Sequence, residues 1–147
     1  MNLEEKFSKI VQAIEAERGP CVLFGLFVRS DAPSMVNVVA SAKWLDGRSR
    51  MSGTRYIVEK ISDVLRAKEM LILSRIAPMD TTDAEVRKLV SEVGTVDGTL
   101  SLGNFVFAGA EIADARIFSS HEPAYRRSAR KKPAPNDRQR SILAAIL

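Results

Sequence analysis

A short apolar run, CVLFGLFV, is the feature that most constrains the fold, because few kinds of secondary structure accommodate it. The run covers Cys21–Val28, and Gly25 is its one small interruption. It is far shorter than the ~20 residues that cross a bilayer, so no membrane span is predicted, and it is too short for a buried helix. It therefore predicts a strand from Cys21 to Arg29 that is covered on both faces.

An amphipathic helix over residues 2–17 precedes this strand. Its apolar residues recur at the spacing that places them on one helical face: Leu3, Phe7, Ile10, Val11 and Ile14. Asn2 and Glu5 match a capping box, in which each side chain accepts a hydrogen bond from a free N–H of the first turn. Gly19-Pro20 ends the helix, since proline has no N–H and restricts the residue before it.

The next three elements are a strand, a helix and a strand. Met35–Leu45 is rich in valine and follows the turn signal at Asp31–Ser34, so it is expected to pair with the first strand as a hairpin. Spaced apolar residues predict a helix over about 54–68. Met70–Ala77 predicts a third strand that Pro78 closes.

A third helix and two further strands complete the predicted domain. Thr82 and Glu85 match a second capping box, and Gly94 lies where a helix commonly ends in a left-handed residue. Alternating apolar residues over Val96–Ser119 predict two strands, with Gly103-Asn104 as a two-residue hairpin turn.

Residues 111–118 fit either the continuation of the last strand or a short helix. The predicted order is α-β-β-α-β-α-β-β, which indicates an α+β fold with a mixed five-stranded sheet and helices packed on it. The two strand–helix–strand passages favour some parallel pairing, while the two hairpins are antiparallel.

Charge divides the chain unevenly. Residues 1–125 hold 15 basic and 17 acidic side chains, whereas residues 126–147 hold seven basic side chains and one acidic. The composition changes with the charge, because residues 120–135 lack an apolar period and contain three prolines. We therefore expect a compact domain over 1–119, a basic flexible linker over 120–135 and a short amphipathic helix over 136–147.

The segment WLDGRSRMSGTR, Trp44–Arg55, is expected to be a loop that leads into the second helix. Its arginines, Arg48, Arg50 and Arg55, would lie near a helix N-terminus, where free N–H groups and a partial positive charge favour an anion. The segment is not a P-loop, because five residues separate its glycines and Thr54 stands where lysine is needed. The alternative is a solvated connection in which Ser52 or Thr54 caps the helix.

Few residues support catalysis or metal binding. Cys21 is the sole cysteine and His121 the sole histidine, so neither has a partner at ligand spacing, and no cofactor is predicted. Asp31 followed by Ser41-Ala-Lys43 partly resembles the Asp…Glu-x-Lys pattern of metal-dependent nucleases. Ser41 replaces the second carboxylate, so an active site would need Glu59 or Asp46 instead.

The C-terminal segment carries two candidate interaction features. Five basic residues cluster beside Tyr125 and suit a nucleic acid or another polyanion: Arg126, Arg127, Arg130, Lys131 and Lys132. Four apolar residues form one strip on the predicted last helix: Ile142, Leu143, Ile146 and Leu147. Because such a short helix needs a partner surface, a homodimer or another protein partner is expected.

Two functions from different classes follow from the sequence. The first is a non-catalytic binding or adaptor module that uses the basic tail and last helix to contact protein or a polyanion. The alternative is an enzyme, or a degenerate nuclease-like domain, that acts on phosphate-containing substrates. The lone cysteine favours a reducing, cytoplasmic location.

Overall fold

The structure, a computed structural model, describes residues 2–96 and 98–122. Its helices are α1 (Leu3–Arg18), α2 (Lys43–Asp46), α3 (Arg50–Ser62), α4 (Ala67–Met70) and α5 (Ala84–Val93). Its strands are β1 (Leu23–Arg29), β2 (Val36–Ser41), β3 (Leu73–Pro78), β4 (Leu100–Phe107) and β5 (Ala110–Ser120). The strands form one sheet in the order β3-β2-β1-β5-β4.

The prediction of an α+β fold with a mixed sheet is confirmed. β1 pairs antiparallel with β2 and with β5, and β4 pairs antiparallel with β5. β2 and β3 run parallel, joined by the crossover that contains α3. The carboxyl ends of these two parallel strands therefore lie at the same edge of the sheet.

Strand β1 is covered on both faces, as the apolar run predicts. Phe24 and Leu26 join a core cluster with the buried faces of α1 and α3. Leu23 and Phe27 point to the opposite face, where they join a second cluster with α5 and the strands β4 and β5. Because successive side chains of a strand alternate between faces, one short apolar segment serves both cores.

The prediction of a loop over Trp44–Arg55 is wrong, because most of this segment is helical. β2 ends at Ser41, and α2 takes up Trp44 and Leu45. The Trp44 Nε1–H donates to the Gly19 carbonyl over 3.2 Å, and the Leu45 side chain is buried. These long-range contacts favour a helical turn where the apolar pattern alone predicted more strand.

The predicted helix over 54–68 differs at both ends. α3 begins at Arg50, and the Ser49 hydroxyl caps it by accepting from the Ser52 N–H at 3.1 Å. The N-cap is therefore neither Ser52 nor Thr54. The helix ends at Ser62, and the separate short helix α4 precedes β3.

The last hairpin turns later than the sequence predicts. Gly103 and Asn104 lie inside β4, and the turn is formed by Ala108 and Gly109, with φ of 51° and 81°. Consecutive positive φ values are typical of two-residue hairpin turns. Residues 111–118, whose sequence fits either a strand or a short helix, belong to β5.

Helix caps are confirmed at α1 and corrected at α5. Asn2 and Glu5 form the predicted reciprocal capping box. At α5 the N-cap is Asp83 and not Thr82, since Asp83 Oδ1 accepts from the N–H groups of Glu85 and Val86.

The predicted basic cluster over 126–132 and the predicted helix over 136–147 lie outside the described residues. Within the described part, β5 continues through Ser120, and the His121 N–H donates to the Val22 carbonyl over 3.0 Å. No described helix is long and apolar enough to cross a membrane.

Candidate anion-binding groove

A groove of about 470 Å³ lies on the face of the sheet that carries α5. The buried residues of α5 pack mainly with β1, β4 and β5, and no β3 residue belongs to that cluster. The β3 residues on this face, Arg75 and Ala77, are therefore left accessible beside β2. Apolar side chains form the floor: Phe27, Val39, Ala77 and Ile112.

Four arginines from separate segments line this groove. Arg29 is the last residue of β1, and Arg75 lies on β3. Arg48 lies in the connection between α2 and α3, and Arg50 is the first residue of α3. Folding therefore gathers cations that are far apart in sequence around one apolar floor.

Two of these guanidinium groups are already engaged. Arg29 makes two hydrogen bonds to the Asp31 carboxylate, at 3.0 and 2.9 Å, and this pairing lowers the pKa of Asp31. The Arg48 guanidinium donates to the Ser52 hydroxyl over 3.2 Å and lies 5.4 Å from the centre of the Tyr56 ring. Both contacts fix the direction of a side chain that would otherwise be mobile.

Arg50 and Arg75 are exposed, and neither is ion-paired with an acidic side chain within residues 2–96 and 98–122. A guanidinium in this state presents several donors that an incoming anion can use without breaking a protein contact. These two arginines are therefore the groove's most available cations.

Two carboxylates, Asp80 and Asp83, also line the groove. Asp83 is the N-cap of α5, so its charge is partly compensated by the backbone donors that it accepts from. The loop that carries both is fixed by Asp46, whose oxygens accept from the Thr81 N–H at 2.9 Å and the Thr81 hydroxyl at 2.6 Å. With Asp31, which is paired with Arg29, four cations face three carboxylates, so the groove has a small net positive charge.

The structure brings together part of the predicted arginine set. Arg48 and Arg50 line the groove, whereas Arg55 is exposed on α3 and does not. Sequence reasoning missed Arg29 and Arg75. The spacing of two residues predicts that Arg29 lies on the same side of its strand as Phe27, and Arg75 on the same side as Ala77. It does not predict the strand order and register that bring Arg29 and Arg75 to one face of the sheet.

The residues required by the nuclease-like alternative are spread over the fold. Asp31 precedes β2 and is paired with Arg29, while Asp46 follows β2 and is engaged by Thr81. Glu59 is exposed on α3. Among residues 2–96 and 98–122, no group of three or more His, Cys, Asp or Glu side chains is arranged to hold a metal ion.

Cys21 is buried beneath α1 rather than presented to the groove. Its N–H donates to Glu15 Oε2 over 2.9 Å, and the same carboxylate oxygen accepts from the Ser119 hydroxyl at 2.6 Å. Burial, and secondarily the Glu15 charge, raises the pKa of the thiol to about 12. A thiol with so high a pKa is a poor nucleophile at neutral pH.

The groove has to be interpreted from its own chemistry. Neither a known protein family, nor a curated protein, nor a solved structure matches this chain.

Proposed function

We propose that this domain is a binding module whose groove takes a phosphate-bearing ligand. The observation that carries the proposal is the convergence of Arg29, Arg48, Arg50 and Arg75 on one cavity of about 470 Å³. A cavity of this size lies in the range of small-molecule sites, which are mostly apolar with a few convergent polar groups.

Arginine binds oxyanions such as phosphate for a geometric reason. Its planar guanidinium donates two parallel hydrogen bonds to one phosphate or carboxylate group. Arg50 also opens α3, where free N–H groups and the helix dipole add to the attraction for an anion. Ser49, the α3 N-cap, lines the same end of the groove and supplies a further polar group.

The alternative function is an enzyme acting on phosphate-containing substrates. It requires a group that activates water or another nucleophile, and the exposed Asp80 in the groove lining is the candidate for that role. Replacing Asp80 by Asn separates the two functions, because it removes a negative charge from the lining. A binding module would keep or gain affinity for phosphate, whereas an enzyme would lose turnover.

The tail supports a second, independent proposal, that of an adaptor. Arg126, Arg127, Arg130, Lys131 and Lys132 supply charge for a polyanion, nucleic acid among them, and the strip of Ile142, Leu143, Ile146 and Leu147 supplies an apolar contact with a second copy or another protein. The lone Cys21 supports a reducing, cytoplasmic setting for either function.

A thermal-shift comparison tests the groove proposal. Phosphate and pyrophosphate should raise the melting temperature of the full chain above a chloride control of equal ionic strength, because ligands that bind the folded state stabilise it. The Arg50→Gln/Arg75→Gln variant should lose most of this increment. Both side chains are exposed, so the variant should fold normally.

Arg55→Gln is the matched control, because it removes the same charge from α3 outside the groove. It should retain the full increment. An equal response of wild type and the double variant would refute binding at the groove.

A further inference from the structure

The cations of the groove fall into two groups at opposite ends of β2. From this arrangement we propose that the ligand is elongated, with an anionic group at each end and an apolar middle. The inference rests on the proposed function, and it specifies which class of phosphate-bearing ligand the groove takes.

The first group lies near the start of β2. Asn37 pairs with Phe27 of β1 on one side and with Arg75 of β3 on the other, while Arg29 lies two residues beyond Phe27. Arg29, Asn37 and Arg75 also line an adjoining cavity of about 240 Å³, together with Asp31, which is bonded to Arg29. At this end Arg75 is therefore the cation without an acidic partner among the described residues.

The second group lies past the other end of β2. Arg48, Ser49 and Arg50 follow α2, which itself follows the last residue of β2. None of the three lines the adjoining cavity, although all three line the main groove. The two groups of cations are therefore separate subsites that share one floor.

The separation of the two subsites along β2 favours two anionic groups over a single phosphate shared by both. From Asn37 to Ser41 the strand advances by roughly 13 Å, at about 3.3 Å per residue. The accessible apolar part of the lining beside β2 consists of the half-buried Ala77, Pro78 and Met79, whereas Val39 and Leu45 are each only 5% exposed. A ligand that meets both subsites must cross this apolar surface, which favours a hydrocarbon-like middle.

The acidic residues of the lining lie at one end of the groove. Asp80 and Asp83 follow β3, which ends at Pro78. They therefore lie at the same end as Arg48 and Arg50 and lower the net positive charge of that subsite.

A single-stranded nucleic acid is disfavoured as the ligand. The aromatic rings of the lining, Phe27 and Phe107, are only 1% and 5% exposed, so they offer no face on which bases could stack.

Alkane α,ω-bisphosphonates provide the direct test, with alkyl monophosphonates of equal chain length for comparison. Calorimetric titration of the full chain should show an affinity maximum at one chain length, because only that length lets both phosphonates reach their subsites. At that length the bisphosphonate should bind at least about tenfold more tightly than the monophosphonate, because the second contact is intramolecular.

Single substitutions at the two ends test whether both subsites are used. Arg75→Gln and Arg50→Gln should each reduce the bisphosphonate to the affinity of the monophosphonate, and Arg55→Gln should leave both affinities unchanged. The monophosphonate should respond to only one of the two groove substitutions, since it has one charged end.

The outcomes separate this inference from the proposed function. Equal affinities of bisphosphonate and monophosphonate would overturn the two-ended ligand while leaving anion binding intact. An absence of binding by every phosphonate, together with no phosphate thermal shift, would overturn both. A third outcome is a single-stranded oligonucleotide that binds more tightly than the bisphosphonates and loses that affinity in the Arg50→Gln/Arg75→Gln variant. This result would overturn the two-ended small ligand and show that the groove binds a polyanion.

Discussion

Arg48 and Arg50 are close in sequence, yet their side chains are held very differently. Arg48 lies against Tyr56, whose hydroxyl donates to Glu17 Oε1 over 2.6 Å, and Lys60 contacts the same oxygen at 2.6 Å. Burial and then the bond to Glu17 raise the pKa of Tyr56, so the phenol stays protonated and keeps donating. Arg48 is therefore oriented in advance, while Arg50 remains available to reorient on a ligand.

Cys21 yields a prediction about pH. Its thiol is 1% exposed, and its pKa of about 12 lies far above that of a free thiol, near 8.5. Because the folded-state pKa is the higher one, the thiol's contribution to stability is fully present below the unfolded-state pKa. It is lost as pH rises from about 9 towards 12, by at most ~1.4 kcal/mol per pH unit.

Urea unfolding of wild type and Cys21→Ala at pH 7, 9 and 10 measures this contribution. The variant carries a constant cost from the small cavity, so the difference in unfolding free energy between the two proteins should shrink as pH rises. The native thiol should also react slowly with iodoacetamide at pH 8 and rapidly in urea. A constant difference and a fast native reaction would show that the thiol is accessible.

At the scale of single elements, sequence patterns succeed where local and tertiary preferences agree. The apolar stripe and capping box of α1 predict its start and its buried face, and the run at Cys21–Val28 predicts a strand with two covered faces. In Trp44–Arg55 they disagree, because Trp44 and Leu45 continue an apolar pattern typical of a strand but pack as a helical turn. The hydrogen bond from Trp44 to the Gly19 carbonyl contributes to this outcome, and it joins residues that are 25 positions apart in sequence.

The last hairpin shows a similar conflict. Asn104 has a positive φ of 58°, as expected from the hairpin turn that the sequence predicts at Gly103-Asn104. The residue nevertheless lies within β4. The turn instead places Ala108 at positive φ, which an alanine adopts reluctantly. The Ala108 N–H donates to Glu85 Oε1 over 3.0 Å, so a contact with α5 supports a turn that the local sequence disfavours.

The start of α5 provides a prediction that discriminates between two neighbouring residues. Asp83→Ala should lower the unfolding free energy by about 1 kcal/mol, because it leaves the N–H groups of Glu85 and Val86 without their acceptor. Thr82→Ala should change it by less than about 0.5 kcal/mol, as expected for an exposed residue with no capping role. Urea titration of both variants measures the difference. A larger loss of unfolding free energy in Thr82→Ala than in Asp83→Ala would show that Thr82 caps α5, as the sequence predicts.

At the scale of the whole molecule, the groove exists because α5 covers only part of the sheet. The fold class follows from the order of elements, but the groove depends on β3 lying beside β2 and on the register that pairs Asn37 with Arg75. Register and strand order arise from packing between distant segments, so Arg29 and Arg75 could not be placed with Arg50 from the sequence. Only the arginines close together in sequence could be proposed as a group.

The last prediction concerns how much of the chain is needed to fold. Ser120 pairs with Leu23 at the start of β1, and its carbonyl accepts from the Val96 N–H at 3.1 Å. The His121 N–H donates to the Val22 carbonyl. A chain that ends at Glu122 keeps all of these bonds and both apolar cores. It should therefore unfold in one cooperative transition with an unchanged urea dependence.

The same truncated chain isolates the role of residues 123–147. The full chain should sediment as a dimer and bind a polyanion with a salt-dependent affinity, whereas the chain ending at Glu122 should be monomeric and lose that binding. Ile142→Asp/Ile146→Asp in the full chain is the matched control, because it removes the apolar strip and keeps the basic cluster. It should abolish the dimer while retaining polyanion binding. If the chain ending at Glu122 instead unfolds without cooperativity, the C-terminal segment completes the core, and its apolar residues are committed to the domain rather than to a partner.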